Sequence, residues 1–416
     1  MTFESLGLQA PLLRALADAG HAAPTDVQRA ALPAALKGRD LTIASSTGSG
    51  KTAAYLLPAL ERTSTAPRDG ARGGPRVLVL APTRELALQV TQAAATYGRH
   101  LPALRVATIV GGVPYGAQLK ALRGRLDILV ATPGRLLDHL RTGKARLDGV
   151  ELLVLDEADR MLDLGFIDDI RTIADHLPDV RQTLMLSATF AGPVGRLAQT
   201  LLTDPHRIEV ASHTDTHAGI EQRLHWADDG THKNALLDHL LTLRDVDQAL
   251  VFTSTQRDAE GLADRLAELG HSVAALHGGM PQGRRNRVLQ GLRQRRLRVL
   301  VATDVAARGI DVPTISHVIN YGLPLKPEDY VHRIGRTGRA GRTGLAVTLA
   351  ERRDGGMIRR IQQFTTQPIP VATIGGLEPR RAEHPSRPLP GGRPAAGAKR
   401  PFKPHGRAGR PMPRTR

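Results

Sequence analysis

The sequence predicts an α/β protein built as two tandem parallel-sheet domains with a disordered basic tail. Three observations lead there. Short runs rich in Val, Leu, Ile and Ala alternate with helical patterns through both halves. A polar stretch at 211–219 interrupts that alternation once. From about Gly375 the composition turns to Pro, Gly and Arg, almost without large apolar side chains. The expected organisation is a first domain at 1–210, a linker at 211–219, a second domain at 220–374 and a tail at 375–416.

In the first domain the runs fall near 41–45, 77–81, 106–110, 128–131, 152–155 and 183–186. In the second they fall near 249–253, 273–276, 299–302, 316–320 and 346–349. Runs this short and apolar predict strands buried on both faces. Their alternation with helices predicts parallel sheets with right-handed crossovers. Between Gly376 and Arg416 there are eleven Lys and Arg against two Glu, about half of the whole chain's net charge of +17. Such a segment cannot bury enough apolar surface to offset its conformational entropy.

Composition narrows the possible functions. With no cysteine, disulfides, cysteine–zinc sites and thiol catalysis are excluded. His213 and His217 stand four apart but lack the further ligands that a zinc site needs. The start, Met1-Thr2-Phe3-Glu4-Ser5, does not read as a secretory leader, and no apolar run is long enough to cross a bilayer. The expectation is a soluble cytoplasmic protein without membrane association. Its positive charge points to a polyanionic partner.

Polar clusters fall at the carboxyl ends of the predicted strands, where open parallel sheets bind ligands. After 41–44 comes Ser45-Ser46-Thr47-Gly48-Ser49-Gly50-Lys51-Thr52. Its glycines let the backbone curl with N–H groups facing phosphates, and the following helix adds its positive end. Lys51 is placed to reach the β- and γ-phosphates, and the Thr52 hydroxyl to ligate Mg²⁺. After 152–155 comes Asp156-Glu157-Ala158-Asp159. Asp156 is expected to hold Mg²⁺ through water, and Glu157 to orient and activate the attacking water. Together the two clusters describe an ATP site. The second half has no such loop but carries His332-Arg333-Ile334-Gly335-Arg336-Thr337-Gly338-Arg339. Arg336 and Arg339 could reach ATP held by the first half and stabilise charge on the transferring phosphoryl group.

These motifs, in this order, resemble the DEAD-box family of RNA-dependent ATPases and helicases, over about Phe3 to Gln367. The resemblance implies two RecA-like domains with ATP between them and RNA across both. It implies that Gln28, in Pro24-Thr25-Asp26-Val27-Gln28, reads the adenine edge while Phe3 stacks on the ring. It implies that Ser187 and Thr189 couple hydrolysis to unwinding by bonding to the acidic tetrad, Asp159 included. Arg84, Gly111, Gly112, Thr132 and Arg135 resemble RNA-backbone contacts of the first domain. Thr253, Gln282, Arg285 and Thr303 resemble those of the second. Asp311 resembles the residue that meets the ATP ribose. Two positions depart from the family's common pattern: Ser45 replaces Ala, and Gly279 replaces Asp. A helicase core with a basic tail resembles the bacterial RhlE-like subgroup.

The activity that the resemblance implies is ATP-dependent local unwinding of structured RNA by a monomeric core, through largely sequence-independent backbone contacts. Ribosomal precursors and RNA-decay complexes are the expected settings, with the tail as an electrostatic tether.

Overall fold

The computed structural model describes residues 2–44, 49–65, 73–209, 219–307, 310, 312, 314–338 and 342–380. In the first lobe the strands are β1 (Leu41–Ala44), β2 (Val77–Leu80), β3 (Val106–Ile109), β4 (Ile128–Ala131), β5 (Leu152–Leu155), β6 (Gln182–Ser187) and β7 (His206–Glu209). They form one parallel sheet in the order β3-β4-β2-β5-β6-β1-β7. Alternate residues of each strand enter opposite cores. Val77 and Val79 pack with Leu56 and Leu60 on one face, while Leu78 and Leu80 pack with Leu136 and Met161 on the other. Burial on both faces explains why these strands are uninterrupted apolar runs.

The second lobe holds β8 (Ile220–Ala227), β9 (Gln248–Thr253), β10 (Val273–Leu276), β11 (Val299–Thr303), β12 (Ile315–Asn320) and β13 (Gly344–Glu351). All pair in parallel, in the order β10-β11-β9-β12-β13-β8. Without β7, the first sheet has the same order strand for strand. Equivalent loops of the two lobes therefore emerge at equivalent points of the two carboxyl edges.

Each run read from the sequence is a strand. β7 and β8 are additional, and both lie at sheet edges. Only Ile208 is buried in β7, and β8 interrupts its apolar residues with Glu221, Gln222, Arg223 and His225, so neither shows a continuous apolar run. The open side of β8 is partly covered. Leu224 N–H donates to the Pro370 carbonyl at 2.8 Å, and Ala372 N–H donates to the Leu224 carbonyl at 2.8 Å. Chain seated on the second lobe continues past Gly375: Ile374 and Leu377 pack on its core, and Arg380 N–H donates to Asp228 at 2.9 Å. The composition change at 375 thus precedes the end of the seated chain, because two isolated apolar side chains suffice to anchor it. Residues 211–218 of the expected linker and 381–416 of the expected tail lie outside the described residues. Among those described, no helix is long and apolar enough to cross a membrane.

Candidate active site

The helix Lys51–Thr65 starts directly after Gly50, whose φ is +88°. A Cβ at Gly50 would stand 2.5 Å from Gln28 Nε2 and 2.9 Å from Thr25 Oγ1, so only glycine fits both the backbone and the space. The neighbours come from the capping box that starts the helix Asp26–Leu36. In it, Thr25 N–H donates to Gln28 Oε1 at 3.0 Å. The same two side chains hold the phosphate loop. Thr25 Oγ1 donates to the Ser49 carbonyl at 2.8 Å, and Gln28 Nε2 donates to the Gly50 carbonyl at 3.0 Å. Gln28 is thus buried with one donor and its oxygen already engaged by protein. Phe3 packs into the first lobe's core and borders a 340 Å³ cleft with Leu13, Leu16 and His21. Ser46, Thr47 and Gly48 of the loop lie outside the described residues.

Lys51 and Asp156 are both buried. Tyr55, on the same helix, donates its hydroxyl to Asp156 Oδ2 at 2.8 Å. Burial raises the Asp156 carboxyl to about 6, with the Glu157 charge adding to the effect. Lys51 and the Tyr55 hydrogen bond oppose that rise. Glu157 has a left-handed backbone, φ +52° and ψ +57°, and sits at the head of the helix Ala158–Asp163. This is an uncommon conformation for a glutamate, and it turns the side chain out of line with β5. Among the described residues no three His, Asp or Glu side chains converge as a protein-only metal site requires. Asp156 and Thr52 form a smaller donor set. It fits magnesium, which completes its shell with phosphates and water.

The loop after β6 closes on itself. Ser187 Oγ donates to the Thr189 carbonyl at 2.7 Å and accepts from Thr189 N–H at 3.3 Å. Its link to the tetrad is made by the main chain: Ala188 N–H donates to Asp159 Oδ2 at 3.4 Å. The Ser187 hydroxyl shapes the loop that presents this N–H, and Thr189 Oγ1 accepts from Ala191 N–H at 3.2 Å.

The second lobe faces this site through the helix Pro327–Ile334 and the residues after it. His332 Nε2 lies 3.9 Å from Asp159 Oδ2. Arg333 is locked in its own lobe, bidentate to Asp304 at 2.6 and 2.7 Å. Arg336 is buried and donates to the carbonyls of Ile310 at 3.0 Å and His332 at 3.1 Å. A cavity of 520 Å³ between the lobes is walled by Glu157, Asp159 and Thr189 from the first and by Lys326, His332 and Arg336 from the second. Lys326 Nζ reaches Asp163 at 2.5 Å across the same gap. Arg339 and Asp311 lie outside the described residues.

The residues expected to touch RNA gather on a second stretch of the carboxyl edges. Arg84 Nη1 donates to the Gly111 carbonyl at 3.2 Å. Gly112, with φ +71°, is so close that a Cβ there would stand 2.9 Å from Arg84 Nη1 and 3.5 Å from Gln282 Cγ of the other lobe. Thr132 precedes the helix Pro133–Arg141, which carries Arg135 in its first turn. Thr253 and Thr303 end β9 and β11 as register partners, and both are buried. Arg285 departs from the expectation of a phosphate contact: its Nε donates to Glu85 of the first lobe at 2.9 Å. Tyr55 and Lys326 carry no sequence signal of their own, and Glu85 lies in a polar cluster after β2 whose partner the sequence does not give, because each acts through a residue remote in the chain.

Two equivalent parallel lobes, with a phosphate loop and carboxylates on one and an arginine-bearing helix end on the other, define a helicase-type ATPase. Residues 25–197 match the DEAD/DEAH box helicase family, and residues 232–341 match the helicase conserved C-terminal domain. The chain is 44% identical over 380 residues to the ATP-dependent RNA helicase SrmB of Escherichia coli, covering 91% of this chain and 85% of that one. It is 42% identical to the ATP-dependent RNA helicase DeaD of Escherichia coli, where it spans 91% of its own length but 59% of the relative's. Saccharomyces cerevisiae Dbp5 bound to RNA and ADP BeF3 superposes with a TM-score of 0.80 at 31% identity, covering 89% of this chain and 95% of that one. A variant of the same yeast protein bound to Nup159, Gle1, IP6 and ADP superposes less well, at 0.62 and 29% identity, covering 88% and 95%. The chain belongs to the DEAD-box family of ATP-dependent RNA helicases.

Proposed function

We propose that the chain hydrolyses ATP in the cleft between its lobes and uses their closure to separate short stretches of structured RNA. The observation that carries this reading is that Glu157 and Arg336, from different lobes, wall one cavity. Lys51, Ser49, Gly50 and the loop residues Ser46, Thr47 and Gly48 hold the phosphates. Gln28 joins adenine recognition to the loop through its bond to Gly50, with Phe3 at the ring and Asp311 at the ribose. Thr52 and Asp156 would hold Mg²⁺, which would supply positive charge to offset the phosphates. Glu157 orients the attacking water, and Arg336 and Arg339 meet charge that develops on the transferring phosphoryl group.

RNA lies along Arg84, Gly111, Gly112, Thr132 and Arg135 of the first lobe and Thr253, Gln282 and Thr303 of the second. Arg285 joins that surface indirectly, by fixing the first lobe's Glu85. Ser187, Thr189 and Asp159 transmit closure, supported by the Ala188 N–H bond to Asp159. These contacts are of backbone-reading type, so sequence selectivity is low. A monomeric core acting in the cytoplasm on ribosomal precursors or RNA-decay substrates fits this chemistry. So do domain limits of 1–210 and 220–374 joined by 211–219, with a basic tail from 375.

The test is ATPase stimulation by RNA and by DNA of the same sequence. RNA alone should stimulate, because 2′-hydroxyls and A-form geometry distinguish the strands. Equal stimulation by DNA would overturn the RNA assignment.

A further inference from the structure

Tyr55 is fully buried in the first lobe's core, yet its hydroxyl is not idle. It donates to Asp156 Oδ2 at 2.8 Å. A phenol has one proton, and here it is given to the carboxylate. Asp156 has Oδ2 committed to the core, so Oδ1 is the oxygen left for the cleft. A carboxylate torsion is broad and roughly two-fold when nothing holds it, and a buried hydrogen bond removes that freedom.

We propose that Tyr55 is a positioning residue for the divalent cation, orienting the Asp156 carboxylate through its hydroxyl. The proposal rests on the assignment of Thr52 and Asp156 to Mg²⁺. Tyr55 touches neither nucleotide nor metal. It sets the metal concentration at which the site is filled, and leaves the phosphate loop, the lobe interface and the RNA surface as they are.

The experiment is a titration of full-length protein with a fluorescent ADP at a series of Mg²⁺ concentrations, without RNA. It compares wild type, Tyr55→Phe and Asp156→Asn. Loss of an outer-shell hydrogen bond costs roughly 10–100-fold in metal affinity in other sites. Tyr55→Phe should therefore need about ten-fold more Mg²⁺ for half of its effect on ADP affinity. Its ADP affinity in EDTA should equal that of wild type. Tyr55→Phe with the wild-type Mg²⁺ requirement would overturn the proposal. If Asp156→Asn left that requirement unchanged, the ligand assignment beneath it would fail instead. Tyr55→Leu, which also removes the ring, separates packing from orientation. It should lower the melting temperature more than Phe does, with at least the same Mg²⁺ shift, and a Mg²⁺ shift absent from both variants would sink the idea.

Discussion

Arg285 Nε donates to Glu85 Oε1 at 2.9 Å, joining the two lobes by an ion pair whose side chains are 10% and 12% exposed. The same guanidinium donates to the Ala306 carbonyl at 3.2 Å, so it is aimed from its own lobe before closure. A hydrogen bond to a charged group contributes about 1.5–3 kcal/mol, and leaving one partner buried alone costs more. Glu85→Gln should therefore raise the RNA concentration for half-maximal ATPase by roughly ten-fold or more. The charge swap of Glu85→Arg with Arg285→Glu should recover part of the loss. Strictly additive effects in that double-mutant cycle would mean that the pair does not couple in solution.

Glu157→Gln keeps size and shape and removes the charge that orients water. ATP affinity should stay within a few-fold of wild type, while turnover falls by about 100-fold or more. Phosphate release measured beside nucleotide binding separates the two, and turnover near wild type would remove Glu157 from the chemistry.

Gly50→Ala places a methyl group 2.5 Å from Gln28 Nε2 on a backbone with φ +88°. The strained backbone alone costs about 1–3 kcal/mol. The loop carbonyl held by Gln28 must then shift, and ADP affinity should fall along with the melting temperature. A variant that binds ADP as well as wild type would show that the close approach is not needed.

Burial holds the His332 imidazole below its ordinary value of 6.5. Asp159 and Glu157 pull it upward, while Lys51 and Arg336 add to the depression. A histidine depressed on burial binds fewer protons in the closed protein than when the lobes part. Its contribution to closure is thus complete above about pH 6.5 and is lost as pH falls below that. Energy transfer between dyes on the two lobes, with RNA and a non-hydrolysable ATP analogue, should report opening between pH 7.5 and 5.5. His332→Gln should flatten that profile, and an unchanged profile would assign the titration to another group.

Residues 381–416 carry ten Lys and Arg against one Glu. Deleting them should weaken RNA binding and reduce the slope of affinity against salt, since each phosphate contact adds about 0.7–0.9 to that slope. Basal ATPase should remain. RNA affinity unchanged at every salt concentration would rule out a tether.

The sheets were legible because their central strands are buried on both faces and so are written as continuous apolar runs. β7 and β8 were not, since an edge strand covered on one side needs only one buried residue in two. The ATP-site residues were legible because loop, lysine and carboxylates occupy short contiguous stretches. Tyr55 and Asp156 are 101 residues apart, and Arg285 and Glu85 are 200 apart. Pairs that distant leave no local pattern, and only the folded sheet order brings them together. Motif resemblance led to Arg285 as a site residue but not to its partner.

The bridge between Leu224 and Val371 has a bearing on how the protein stays in solution. An uncovered parallel edge offers unpaired N–H and C=O groups to the edge of any other chain, and sheet-to-sheet growth can start there. Chain 370–372 occupies part of that edge and hands the backbone on to Arg380, anchored at Asp228. The short stretch after the last helix therefore takes up backbone groups of that edge that another strand could otherwise pair with, and ending the chain before Pro370 is expected to expose them.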